Sequence, residues 1–442
     1  MILGAVKTTL ALCLVGCGFS PHPAGNAPAD ASGSDADIDA MVEVDAVLGD
    51  APEACTLWHP QHFMPCELGS PGPMQMLTAG GSPYTYDTTN GGGDLRDKTN
   101  TVLIHSPITL QQGDNTAIAV LSVAKFGVGA GAVLKVIGPK PLIIASWDTL
   151  DVIGEIDAGS HTTEIDATKH IQQTTQHGAG AMTCASVATV ASPSAATPGQ
   201  DAAPSGGSGG GGGGAYHGGG GDGATGDQMC TGGFTCPRTG GAGGNGAGMP
   251  AAIHGGCNGA DSGKAGSSAQ SPATSNTVAK GGLGGGGLEL AVNGDLHIAG
   301  TVRAGGAAGA GAPQGSAVGG GGGGAGGYLG FDAHKVEIMA SGTVAANGAG
   351  GGGSAPFAGF GAQGEDGQPS GTAANGGGAN GGTCGLPGAK GSSSSALDGT
   401  TATGTDTCGG GGGGGAGGWA VSWATMTTSG GTVSPALTVI NL

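Results

Sequence analysis

The chain has 442 residues, 104 of them glycine, with aromatic residues at 3% and charged residues at 10%. So few large side chains cannot fill the thick core of an ordinary enzyme domain. Glycine in blocks excludes collagen, and a hydrophobic content of 37% falling in alternating runs argues against disorder. A formal net charge of −18 sets the chain against nucleic acid as a partner.

Residues 1–16 read as a lipoprotein signal peptide. Lys7 precedes an apolar run, Thr8 to Gly16, that is too short to span a bilayer. Leu14-Val15-Gly16-Cys17 has the spacing of a bacterial lipobox, so Cys17 is the expected lipidation site and the membrane its partner. Gly18, where an Asp would retain the protein at the inner membrane, points to the outer membrane or cell surface. Residues 17–54 are rich in Asp and Ala and lack Lys and Arg, the composition of an extended acidic tether. Residues 55–118 are expected to form an N-terminal cap region with the first strands.

From residue 119 short alternating strands recur in threes. Val120–Val123, Lys125–Val128 and Val133–Val136 make one set; Leu142–Ala145, Thr149–Val152 and Glu155–Ala158 make the next. Later sets begin at Leu288, Tyr328 and Trp419. Each strand has small apolar residues at period 2, and the early offsets of roughly 22 to 24 residues are solenoid-like. The expected fold is all-β: a short parallel β-helix with three strands per coil, turning at Gly or Asn-Gly corners such as Asn293-Gly294 and Ser341-Gly342. Leu150, Leu296 and Val336 should line one interior column.

Long glycine-rich insertions, 159–287, 305–327 and 347–418, leave after the third strand and return at the first. Their runs Gly209–Gly214, Gly319–Gly324 and Gly409–Gly415 suit the polyproline II conformation, which has three residues per turn. They are expected to pack side by side as polyproline II-like bundles, exposing a broad surface nearly free of side chains. Cys13 leaves with the signal, and eight cysteines remain besides Cys17: Cys55, Cys66, Cys184, Cys230, Cys236, Cys257, Cys384 and Cys408. An even number in an exported chain reads as disulfides. Their grouping predicts Cys55–Cys66, Cys384–Cys408, and pairing among the four in the first insertion. No C-x-x-C pair occurs, and no metal or cofactor is expected.

The lipobox, the Asp-Ala tether, Tyr84-Thr85-Tyr86-Asp87-Thr88-Thr89, Pro141–Trp147, Val152–Ala158 and the Ser-Gly block at 205–209 resemble the glycine-rich predicted lipoproteins of myxobacteria and their relatives. That resemblance implies a surface location and a β-helical fold, and no activity.

No G-x-x-x-x-G-K-[ST] occurs, no G-x-G-x-x-G opens a helix and no G-x-S-x-G stands at a strand-to-helix turn. Aligning the second strands puts Gly127, Asp151, His297 and Glu337 in one outward column. Carboxylates so placed serve as acid and base in polysaccharide-cleaving enzymes, which makes Asp151, His297 and Glu337 the candidate catalytic residues. The bland reading is a solvated charge ladder, which Lys135, Asp157 and Arg303 in the third strands repeat by alternating in sign. The expected function is that of a non-enzymatic cell-surface lipoprotein, structural or adhesive, with surface glycans or neighbouring surface proteins as partners. The alternatives are a carbohydrate-active β-helix enzyme, a lyase or hydrolase, and a glycan-binding protein.

Overall fold

The computed structural model describes residues 58–166, 171–181, 184, 199, 207–226, 238–264, 278–314, 317–356, 359–381, 384–406 and 408–440. The signal peptide, the tether, Cys17, Cys55, Cys230 and Cys236 lie outside the described residues. Nearly all regular structure among the described residues is β, with two short 3-10 turns at Pro65–Leu68 and Ala79–Gly81.

Two large sheets, of ten and eight strands, carry the core. In the first, Phe126–Val128, Leu150–Val152, Gly287–Ile298, Tyr328–Ile338 and Trp419–Ser429 follow one another in parallel. Ala117–Val123 and Leu142–Ser146 extend it in parallel below the first half of Gly287–Ile298. In the second sheet Val133–Ile137, Glu155–Asp157, Thr301–Arg303, Thr343–Ala345 and Thr432–Ser434 stack in the same way. Each insertion is therefore spliced between neighbouring strands without breaking the register. The N-terminal region supplies Gln75–Leu77 and Tyr84–Asp87, one to each sheet, and the latter continues into an antiparallel meander through Gly93–Arg96 and Val102–Ser106.

Register explains why small and medium aliphatic residues suffice. Phe126, Leu150, Leu296 and Val336 are direct neighbours on successive strands, and all are fully buried. Leu134, Ile156, Val302 and Val344 form the matching column of the second sheet. Because like residues stack at one strand spacing, about 4.8 Å, the interior stays narrow. The outer face of the first sheet is covered as well. Trp58, Phe63 and Leu68 from the N-terminal segment, with Tyr216 and Ile253 from the first insertion, pack over Val120, Ile143, Ala291, Trp419 and Trp423.

One expected corner is not a corner. Asn293-Gly294 lies within the continuous strand Gly287–Ile298, where Val292 pairs with Ala333 and Asp295 with Lys335. Two residues thus oppose the single His334, the arithmetic of a β-bulge, which bends a strand without ending its ladder. First and second strands consequently fuse in the last three levels, and two sheets replace the expected three. Ser341-Gly342 does turn: Gly342 N–H donates to the Met339 carbonyl at 2.8 Å.

The glycine-rich insertions pack against one another through backbone hydrogen bonds whose partners change with period three. Gly320, Gly323 and Gly326 donate to the carbonyls of Gly410, Gly413 and Ala416; Gly321, Gly324 and Gly327 donate to Ala310, Ala307 and Ala304. Gly322 and Ala325 turn to a third neighbour, Ala260 and Cys257. Each N–H of this run is thus committed to one of three flanking segments, and its carbonyls accept from three more, through Gly211 and Gly214, Gly282 and Gly285, and Ala349 and Gly352. The runs 209–214, 319–324 and 410–415 are buried, so the expected side-chain-free surface does not form. Glycine is needed inside, where six neighbouring segments leave no room for a Cβ. The outer segments show the same period in their burial, with Gly218, Gly221 and Ala224 inside and Asp222 exposed. Cys184 pairs with Cys257 (Cα atoms 5.0 Å apart) and Cys384 with Cys408 (5.8 Å), tying segments of the first and third insertions. The expected partner of Cys66 lies outside the described residues.

Candidate functional site

The second-strand column forms as expected: Gly127 faces Asp151, Asp151 faces His297, and His297 faces Glu337. His297 Nδ1 lies 3.0 Å from Asp151 Oδ1, and its Nε2 lies 3.9 Å from Glu337 Oε2. Lysines close both ends, Lys125 at 3.9 Å from Asp151 and Lys335 at 2.8 Å from Glu337. The side chains of Asp151, His297 and Glu337 are 34%, 38% and 31% exposed. A general acid needs a carboxyl whose pKa is raised by burial. Glu337 is the opposite case: the hydrogen bond from Lys335, with its charge, holds the carboxyl below the usual glutamate range. The arrangement is an alternating ladder on an open sheet face. Three residues of the third-strand column also meet in register, Lys135 facing Asp157 and Asp157 facing Arg303.

Asp157 is the centre of a node that spacing alone could not reveal. It is buried, and its Oδ2 lies 2.9 Å from Arg303 Nη2 and 2.9 Å from His161 Nε2. His161 opens an antiparallel hairpin, His161–Asp166 with Ile171–Gln176, at the start of the first insertion. Its Nδ1 contacts Asp366 Oδ2, from the third insertion, at 2.9 Å. Both ring nitrogens face carboxylates, so both donate and the ring is an imidazolium. Burial alone would lower its pKa, but hydrogen bonds to Asp157 and Asp366 win and raise it to about 9. Asp366 also accepts the Ala308 N–H at 2.8 Å, and thus one charged cluster joins the sheet to all three insertions.

A second buried cluster sits under the N-terminal segment. Glu289 is fully buried on the outer face of Gly287–Ile298, with His62 Nδ1 2.6 Å from its Oε2. Asp332, on the next strand, accepts the Gln61 N–H at 2.7 Å. Burial and the neighbouring charge of Glu289 push the Asp332 carboxyl up to about 7. His62 is raised too: burial opposes its charge, but the charge of Glu289 and its hydrogen bond outweigh that. Gly330, opposite Glu289, keeps this space open, since a Cβ there would lie 3.1 Å from Glu289 Oε2. The one sequence signal for this cluster is an acidic residue in each of two apolar first strands, Leu288-Glu289-Leu290 and Phe331-Asp332-Ala333.

Among the described residues no group of three or more His, Cys, Asp or Glu side chains is placed to hold a metal ion. None of their helices is long and apolar enough to cross a membrane. The hairpin that begins at His161 borders an open cleft of mixed polar and apolar lining, which includes Thr162, Gln172, Thr174, His177, Asn258 and Leu283. No protein-family model, no curated protein and no solved structure matches this chain.

Proposed function

We propose that this chain is a non-enzymatic surface lipoprotein, anchored through Cys17, that serves as a rigid adhesive or structural element. In this reading the paired sheets are a short parallel β-helix in which the bulge at Asn293-Gly294 replaces one corner. The insertions form a bundle of polyproline II helices standing beside it. The observation that carries the reading is the period-three exchange of backbone hydrogen bonds among the glycine runs. Ordering glycine costs roughly 1–2 kcal/mol of backbone entropy per residue. A chain that meets this cost over many residues gains a stiff body with little hydrophobic mass, suited to holding side chains outward at fixed spacing. The paired cysteines support an oxidising, extracellular setting. Open, lysine-neutralised geometry at Asp151, His297 and Glu337 favours the non-enzymatic reading over polysaccharide cleavage.

The test is attachment. Cells expressing the full chain should incorporate a labelled fatty acid into it and should retain polysaccharide-coated beads. Cys17→Ser should abolish labelling and release the protein from the membrane. Lipid-independent retention of the protein, or beads held no better than by cells lacking it, would refute the proposal.

A further inference from the structure

The cleft under the His161–Asp166 hairpin has a volume of about 400 Å³, within the usual range for ligand sites. Its walls carry uncharged hydrogen-bonding side chains, Thr162, Gln172, Thr174 and Asn258, while Leu283, Ala308 and Ala310 supply apolar surface. The titratable members are His177 and the pair Lys280 and Asp261, which neutralise each other at 2.8 Å. Asn258 accepts the Gly284 N–H through its Oδ1 at 2.9 Å, which leaves its NH2 to offer.

The hairpin is held off the bundle by its own anchors. Thr162 Oγ1 donates to the Ala308 carbonyl at 3.1 Å, and Gln176 Nε2 donates to Asp157 Oδ2 at 3.2 Å and to the Gly159 carbonyl at 2.9 Å. With the His161 node these fix both strands at their feet. A cleft propped open in this way spares a ligand the cost of ordering the hairpin backbone.

The lining selects a ligand class. An anion meets a chain of net charge −18 and no free cation in the Lys280–Asp261 pair. A purely apolar ligand would strand the amide groups of Gln172 and Asn258 without partners, at a cost. A ligand bearing adjacent hydroxyls on a ring with C–H faces satisfies both walls and floor, because Gln172 offers a donor and an acceptor side by side and Asn258 a donor. We infer that the cleft between the hairpin and the glycine-rich segments is a binding site for a neutral hexose oligosaccharide, and this deepens the adhesive reading on which it rests.

The experiment uses the full chain in detergent and a panel of neutral probes: maltotetraose, cellotetraose, mannotetraose and galactotetraose. Calorimetry should detect binding of at least one, and hydrogen exchange should show slowed amides at 172–174 in its presence. Gln172→Ala, on the cleft face of the hairpin, should weaken that binding at least tenfold with an unchanged melting temperature, and Gln173→Ala, on the opposite face, should change it far less. Glu337→Gln should leave it unaltered. Binding that survives Gln172→Ala, or exchange at 172–174 that does not respond, overturns the site. Bead attachment that persists when none of the four sugars binds overturns the site and leaves the adhesive reading standing. Loss of bead attachment alongside cleft binding that follows Gln172 does the reverse.

Discussion

Gly322→Ala is the sharpest probe of the glycine packing. A Cβ on Gly322 would strike the Gly212 carbonyl, with the carbonyl carbon only 2.5 Å away where ordinary contact begins at 3.4 Å. The obstacle is backbone, so no rotamer change relieves it. Segment 319–324 must move away from segment 209–214, and its bonds run to several other segments at once. Gly322 N–H to Ala260, Gly282 N–H to Gly322, Gly321 N–H to Ala310 and Gly323 N–H to Gly413 are all 2.9 Å long and would stretch together. Losing two to four such bonds costs about 1 kcal/mol each, and overpacking adds roughly 1–3 kcal/mol. The stiffer unfolded chain returns about 0.4–1 kcal/mol. The expected net loss is about 2–7 kcal/mol, read as a lowered urea midpoint with disulfides intact. Gly113→Ala and Gly248→Ala are the controls. Nothing lies within 4 Å of a Cβ at either position, and both should stay within about 1 kcal/mol of the parent. If Gly322→Ala unfolds at the same midpoint as the controls, the run is not packed as described and the energetic argument fails.

Three further outcomes follow. The His161 pKa of about 9 lies above its unfolded value of about 6.5, so the node's stabilisation is complete below pH 6.5 and is lost as pH rises through 9; at about 1.4 kcal/mol per unit it amounts to roughly 3 kcal/mol, and urea midpoints of the parent and His161→Asn should converge above pH 9.5. Asp332, raised to about 7, works the other way from a salt-bridged carboxylate: the fold binds the extra proton, so stability falls as pH rises from about 4 to 7, and Asp332→Asn should flatten that slope in the same titration. Replacing Cys384 and Cys408 by Ala opens a link of sequence separation 24 and should cost about 3 kcal/mol, and a midpoint insensitive to that pair of changes would show that the bond constrains nothing.

The strand stacks were legible because their signal is local. Period-2 alternation and repeated triplets place Leu150, Leu296 and Val336 in one column without reference to what lies between them. Asp151, His297 and Glu337 could be aligned by the same counting, and they meet on the surface. What composition could not convey is which neighbours surround a glycine. Gly209 and Gly319 look alike in sequence, and only the fold brings them together. That is why burial of the runs was missed. The Asp157–His161–Asp366 node was hidden for the same reason: its two carboxylates are separated by more than two hundred residues and one lies in a glycine-rich insertion. Glu289 was readable as an outward residue, but the covering segment that carries His62 has no periodic signature.

The changing of partners at every third residue also limits how such a chain can vary over evolutionary time. Removing one residue from the run Gly319–Gly324 would rotate everything beyond the gap by a third of a turn. Gly323 would then donate where Gly322 had, toward Ala260, and the contact with Gly413 would be left to its successor. Every downstream donor would address the wrong strand at once, much as a one-residue slip turns a β-strand inside out. A three-residue deletion restores the phase and shortens the arm by one repeat of about 9 Å. Length changes in the arms of related chains should therefore come in threes, whereas the strands at their roots, held in register by their own columns, should keep a fixed count.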